Sequence, residues 1–148
     1  MNANFVFLLN LLATWYMVGL IWMVQNVHYK MFDRVGADHF VRYEEDHNRL
    51  ITAVVMPPML VELASACALL IVTPAGFPRW AAWAGVLMVT AIWLSTFFLS
   101  VPCHAKLLQG FDPAAYHRLV LTNWIRTIFW TGRGVLLGFF ALRLMKQL

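Results

Sequence analysis

Charged side chains are scarce in this sequence. They make up 12% of its 148 residues, whereas hydrophobic residues make up 61%, and soluble domains carry about 25% charged residues. This composition excludes an ordinary soluble fold. Four mainly apolar runs each have the roughly 20 residues that a helix needs to cross a bilayer, and they cover residues 5–27, 51–72, 80–101 and 119–144. We expect an all-α integral membrane protein, a four-helix bundle embedded in the lipid bilayer.

Several familiar motifs are absent. The sequence has no Gly-x-Ser-x-Gly elbow, no P-loop and no dinucleotide-binding glycine pattern, so we expect neither that hydrolase chemistry nor nucleotide chemistry. The net charge of +4 is spread along the chain without a basic run, so no nucleic-acid partner is expected. Straight helices would hold the two cysteines, Cys67 and Cys103, roughly 20 Å apart, which is too far for a disulfide.

The order of the runs predicts a single transmembrane domain over residues 1–148, with helices at about 5–28, 39–72, 80–103 and 113–145. The first run lacks the basic start and the cleavage site of a signal peptide, so we expect it to be retained. Asp38 and Asp112 are predicted N-caps, and Pro113 follows at a first helical position. The connections 28–50 and 102–118 share one side of the membrane, called the polar face here. Its larger number of Lys and Arg residues predicts that it is cytoplasmic.

The two halves of the chain share short segments in the same order. "HYKMF", "GAD" and "HNRL" in the first half correspond to "HAKLL", "GFD" and "YHRL" in the second. One interpretation is a duplicated helical hairpin with a pseudo-twofold axis along the membrane normal; the other is chance similarity between short polar loops. Aligning Arg49 with Arg118 leaves His47 and His117 one residue out of register, which is about 100° of rotation on a helix.

Each predicted helix brings one histidine to a similar depth near the polar face, and the fifth, His39, is expected to be a surface residue. Glu44 and His47 have the i, i+3 spacing that places a carboxylate and an imidazole on one side of a helix. Such side chains build metal or haem sites in bundles, and nitrogen with carboxylate ligands suits iron, copper or zinc. The alternative is a set of solvated side chains at headgroup level. The predicted metal-binding residues are His28, Glu44, His47, His104 and His117.

Three charged residues interrupt the apolar runs, and charges inside a membrane usually mark a function or a partner. With helices two and four in parallel, Glu62 lies roughly 3 Å from the level of Arg133 and roughly 7.5 Å from that of Arg126. One arginine can form a structural ion pair with Glu62, and the other would be left to bind a quinone carbonyl, a phenolate or another anion. The predicted substrate-binding residues are Gln25, Glu62, Asn123, Arg126, Trp130 and Arg133.

Two residue pairs bear on helix packing. Pro57 and Pro58 predict a kink in the second helix beside Glu62, and a pocket next to it. Gly134 and Gly138 form a Gly-x-x-x-Gly pair, which allows close approach of another helix. That helix belongs either to the same chain or to a second copy, which would make a homodimer.

The segments "VQNVHYKMF", "VVMPPMLVEL", "VPCHAKLL" and "TNWIRTIFWTGRG" resemble a set of small bacterial four-helix membrane proteins, which implies a bacterial inner membrane. The size, the four spans and the arginine-bearing last helix resemble the anthrone-oxygenase-like membrane family, whose members are implicated in oxidising polycyclic phenols. This resemblance implies oxygenase activity. Together with the histidines read from the sequence, it leads us to expect a metal- or haem-dependent membrane oxidoreductase or oxygenase acting on a lipophilic phenolic or quinone-like molecule. The alternative is a non-catalytic membrane protein, a ligand-binding protein, carrier or partner subunit, that uses the charged interior.

Overall fold

The computed structural model describes residues 2–146, which form four long helical rods. All four rods are long and apolar enough to cross a membrane. They are called crossings one to four here and span Ala3–Arg34, Ala37–Leu69, Arg79–Leu107 and Pro113–Met145. No strand occurs within residues 2–146. The prediction of an all-α, integral membrane four-helix bundle is therefore confirmed.

Crossings two and four are single α-helices, whereas crossings one and three are composite. Crossing one contains α1 (Ala3–Met23), a π-helical turn (Val24–His28) and a 3-10 segment (Tyr29–Arg34). Crossing two is α2 (Ala37–Leu69) and crossing four is α5 (Pro113–Met145). Crossing three contains α3 (Arg79–Ser95), a π-helical turn (Thr96–Ser100) and α4 (Val101–Leu107).

The π turns occupy similar places in the two halves of the chain. Each lies on the way to the polar face and ends at or shortly before a histidine, His28 in crossing one and His104 in crossing three. Single π turns inside α-helices are rare and are often found at functional sites. Their paired occurrence fits a duplicated hairpin, and the pseudo-twofold axis itself stays a prediction.

The helix starts at the polar face differ from one another. Asp112 caps α5 as predicted, because its carboxylate accepts a hydrogen bond from the Ala115 backbone N–H at 2.7 Å. The predicted cap at Asp38 is wrong, since α2 begins after Gly36. Asp38 lies instead in the first turn, where a negative charge stabilises the positive end of the helix dipole.

Packing between the crossings is uneven. Crossing one lies against crossings two and four, and crossing three lies mainly against crossing four. Gly134 sits where crossing four meets crossing one, and a Cβ atom there would approach the Val18 side chain to 3.1 Å. Gly138, also on crossing four, faces Trp15 of crossing one. The glycine pair therefore packs helices within the chain, and a homodimer stays a prediction. The seam between crossings two and three is the looser one.

Candidate functional site

Four of the five predicted metal-binding residues meet near the polar face. His28 Nε2 lies 2.7 Å from His47 Nδ1, and the centroids of the two rings are 4.6 Å apart. His104 Nδ1 lies 2.5 Å from Glu44 Oε1, and its ring centroid is 5.2 Å from that of His47. Crossings one, two and three each contribute to this group, which is called the histidine cluster here. The residues are thus drawn from segments far apart in sequence.

Helix geometry explains why the cluster is aligned. Glu44 and His47 are three residues apart on α2 and project from the same side, and both are buried. Asn48, one turn after Glu44, donates its side-chain N–H to Glu44 Oε1 at 3.1 Å and fixes that carboxylate. His28 is the last residue of the π turn in crossing one, and His104 lies four residues after the π turn in crossing three.

His117 lies outside the cluster. Its side chain is exposed, and its aromatic neighbour is Tyr116. The one-residue difference in register between His47 and His117 accounts for this placement, because about 100° of rotation carries a side chain from the inner to the outer face. Tyr116, which aligns with His47, is buried in its place.

Hydrogen bonds through Tyr29 connect the histidine cluster to crossing four. Sequence reasoning did not select Tyr29 as a site residue. The Tyr29 hydroxyl lies 3.2 Å from His104 Nε2, and Arg126 donates to that hydroxyl at 3.2 Å. Arg126 also donates to Asn123 Oδ1, and Asn123 in turn donates to Gln25 Oε1 at 2.6 Å. Gln25 and Asn123 therefore hold the arginine in position.

The network fixes which nitrogen of His104 carries its proton. A carboxylate only accepts hydrogen bonds, so His104 Nδ1 must be the donor to Glu44. A tyrosine hydroxyl can both donate and accept, so the Tyr29 oxygen accepts from Arg126 while the same hydroxyl forms a hydrogen bond with His104 Nε2. The arrangement is a continuous path of hydrogen bonds from Arg126 to Glu44.

A cavity of about 160 Å³ borders this network, in the seam between crossings two and three. Its walls are mainly aliphatic, with Met17, Ile51 and Met59 among them. Met59 directly follows Pro57 and Pro58, beside which a pocket was predicted. His47 and Arg126 also line the cavity. An apolar cavity with a few converging polar groups is the usual form of a small-molecule site.

Four of the cavity-lining residues carry a buried polar atom with no hydrogen-bond partner among residues 2–146. The atoms are Trp93 Nε1, Ser100 Oγ, His47 Nε2 and Arg126 Nε. Buried polar atoms are nearly always paired, and an unpaired one calls for a missing partner. Trp93 Nε1 and Arg126 Nε can only donate. A molecule that pairs with these two atoms must therefore accept hydrogen bonds.

The cavity opens sideways rather than toward the polar face alone. Of its lining residues, Thr52 on crossing two and Phe97 and Val101 on crossing three are exposed, with Phe97 52% and Val101 50% accessible. All three lie within segments apolar enough to cross a membrane. The opening, called the lateral opening here, therefore lies along the rods that are apolar enough to cross a membrane.

Glu62 and Arg133 form a separate, closed network deeper in the bundle. Arg133 Nε donates to Glu62 Oε1 at 3.0 Å, and both side chains are fully buried. Glu62 also accepts from Thr14 at 2.7 Å and from Trp130 at 2.9 Å, and the remaining Arg133 nitrogens donate to Asn10 and to the Gly85 carbonyl. Every polar atom of the pair is engaged, so its geometry is that of a structural ion pair.

The six predicted substrate-binding residues therefore fall into three groups. Arg126 and Trp130 line the cavity, Gln25 and Asn123 position Arg126, and Glu62 and Arg133 hold crossings two and four together. Arg126 forms an ion pair with no carboxylate of residues 2–146. It is the surplus arginine that the sequence predicted.

Among the lining residues that sequence reasoning missed, Tyr29, Trp93 and Ser100 carry polar groups of the site. Tyr29 directly follows His28, and that adjacency was a usable signal. Ser100 ends a π turn, so its facing direction does not follow from α-helical spacing, whereas Trp93 lies in the regular helix α3.

The histidine cluster differs from a preformed metal site. Among residues 2–146, no three His, Cys, Asp or Glu side chains are arranged to hold a metal ion. The nitrogens of His28 and His47 lie 2.7 Å apart, whereas two nitrogens bound to one tetrahedral zinc are roughly 3.3 Å apart. The four residues form two hydrogen-bonded pairs, His28 with His47 and His104 with Glu44, and the metal and haem predictions gain no support. No protein-family model, curated protein or solved structure matches the chain.

Proposed function

We propose that this membrane protein binds a lipophilic small molecule through a carbonyl or phenolate head group, as in a quinone or a phenol, in the cavity between crossings two and three. The observation that carries the proposal is the set of four polar atoms, on the residues of one otherwise apolar cavity, that have no partner among the described residues 2–146. Two of the atoms are obligate donors, and one belongs to an arginine that pairs with no carboxylate in that range, so the ligand supplies acceptor oxygens.

Substitution of Arg126 tests the proposal. A hydrogen bond to a charged group contributes about 1.5–3 kcal/mol, so Arg126→Gln should weaken binding of a short-chain benzoquinone roughly 10- to 100-fold. Binding is measured by quenching of tryptophan fluorescence in the purified protein, since Trp93 and Trp130 line the cavity. Arg118→Gln, an exposed change on the same helix, is the matched control.

The proposal is refuted if the wild-type protein binds neither quinones nor phenols, or if Arg126→Gln and Arg118→Gln bind equally well. Thermal unfolding of both variants separates a loss of binding from a loss of folding. Arg126 also holds Tyr29 and Asn123, so a moderate decrease in melting temperature is expected for its variant alone.

A metal- or haem-dependent oxidoreductase acting on the same ligand is our second candidate. It is favoured by the convergence of His28, Glu44, His47 and His104 beside the cavity. The rings would have to separate to take a metal between them, since they now bond to one another. Metal content and a haem absorption band after gentle purification test this candidate, and His47→Ala should lower any occupancy.

We also propose that the polar face lies in the cytoplasm of a bacterial inner membrane. Six exposed basic residues lie at that face and three at the opposite one, as the positive-inside tendency requires. The six are Lys30, Arg34, Arg42, Arg49, Lys106 and Arg118, and the three are Arg79, Arg143 and Lys146. A cysteine at Gln109 should react with a membrane-impermeant maleimide in inverted vesicles and stay protected in right-side-out vesicles.

A further inference from the structure

The lateral opening indicates how the ligand is seated, and we infer that the protein takes a head group that carries a hydrocarbon tail, with the tail left in the lipid. This inference rests on the proposed function, because it concerns the same cavity. It adds the class of molecule, a long-chain quinone or phenol rather than a compact one, and the side from which the molecule is reached.

Cavity volume is the first support. About 160 Å³ is below the roughly 300–1,000 Å³ of pockets that enclose drug-sized ligands. A head group fills such a space, and any larger part of the molecule must lie outside it. The donor groups of Trp93 and Arg126 belong to residues lining this space, so the polar end is the part that is enclosed.

The surroundings of the opening are the second support. Exposed apolar side chains adjoin it on crossing three, where Leu94 and Phe98 lie three residues before the lining residues Phe97 and Val101, and Phe98 is 69% accessible. A molecule leaving the cavity here therefore meets hydrocarbon rather than water. A tail projecting this way keeps the apolar environment that it has in the free lipid, so its length neither costs nor contributes much affinity.

The position of the opening along crossing two is the third support. Thr52 follows Glu44 by eight residues, which is roughly 12 Å along a helix. The opening therefore lies in the leaflet on the side of the polar face, below the histidine cluster. An amphiphile in that leaflet has its head near the membrane surface and its tail beneath it, and a short movement toward crossing three brings the head to Arg126.

The test compares two benzoquinones with the same head group, one with a methyl and one with a decyl substituent, in lipid nanodiscs. Affinities are expressed per mole fraction of ligand in the lipid, so that partitioning cancels. The wild-type protein should bind both within about threefold, because the tail does not enter the protein. Thr52→Phe, which narrows the opening, should weaken binding of the decyl compound at least tenfold and leave the methyl compound within threefold.

Val54→Phe is the matched control, since Val54 is an exposed residue of the same helix outside the cavity lining. It should bind both compounds as the wild-type protein does. Val101→Phe narrows the opening from the opposite rod and replaces Thr52→Phe if that variant does not fold.

Two results would overturn the inference while leaving the proposed function intact: tenfold weaker binding of the decyl compound by the wild-type protein, or equal effects of the narrowing variants on both compounds. Binding of neither compound by the wild-type protein would overturn the proposed function and this inference together.

Discussion

The ion pair between Glu62 and Arg133 allows a quantitative test of how the bundle is held together. Replacing Arg133 with Met leaves the Glu62 carboxylate buried and without its counter-ion. Breaking a buried pair from one side typically costs about 3–5 kcal/mol, which for a chain of this size corresponds to a decrease in melting temperature of roughly 6–20 °C. The converse change, Glu62→Met, should cost a similar amount of free energy, because Arg133 then loses its only carboxylate among residues 2–146. Arg133 keeps its hydrogen bonds to Asn10 and Gly85.

The double variant decides whether this reasoning is right. Two well-packed methionines bury no charge, and replacement of a buried ion pair by apolar residues is often nearly neutral. Glu62→Met with Arg133→Met should therefore be more stable than either single variant, with a coupling free energy of several kcal/mol. Thermal unfolding in detergent, followed by circular dichroism, measures all four proteins, and Arg143→Met is the exposed control. Additive losses in the double variant would refute the description of a mutually dependent pair.

Two further predictions concern helix packing and capping. Gly134→Leu should destabilise the protein by about 1–3 kcal/mol through overpacking against crossing one. Gly132→Leu should change the melting temperature little, because a Cβ atom at Gly132 meets nothing closer than a sulfur at 4.0 Å. Equal decreases in melting temperature for the two variants would contradict the contact assigned to Gly134. Hydrogen bonds from Lys106 and from the Ala115 backbone lower the pKa of Asp112. The stabilisation is therefore present above the pKa of the unfolded state and is lost as the pH falls through the lower folded-state pKa. The melting temperature of wild type should exceed that of Asp112→Asn at neutral pH and converge with it in acid.

Most of the fold followed from hydropathy, because four long apolar runs leave few arrangements other than a bundle. Helix levels also identified the ion pair, since Glu62 was expected nearer to Arg133 than to Arg126, and that pairing is the one observed. The spacing of Glu44 and His47 correctly placed both side chains on one buried face.

The remaining features of the site depend on departures from regular α-helix. The two π turns change which side chains face inward after Met23 and after Ser95, and no residue pattern in a single sequence reveals such a turn. Ser100 was missed for that reason. The cavity itself reflects the loose seam between crossings two and three, which depends on side-chain shapes across two rods rather than on either rod alone.

The π turn of crossing one also lets the two parts of that rod have different rotations about its axis. In an uninterrupted helix, one rotation angle fixes every side chain from end to end, so the ring of His28 and the residues that pack around Asn10 could not be oriented independently. An added residue at the turn supplies that independence. The wider turn therefore sets the ring of His28 at a rotation about the rod axis that continuous α geometry, at about 100° per residue, would not give, while the ion-paired interior keeps its own orientation.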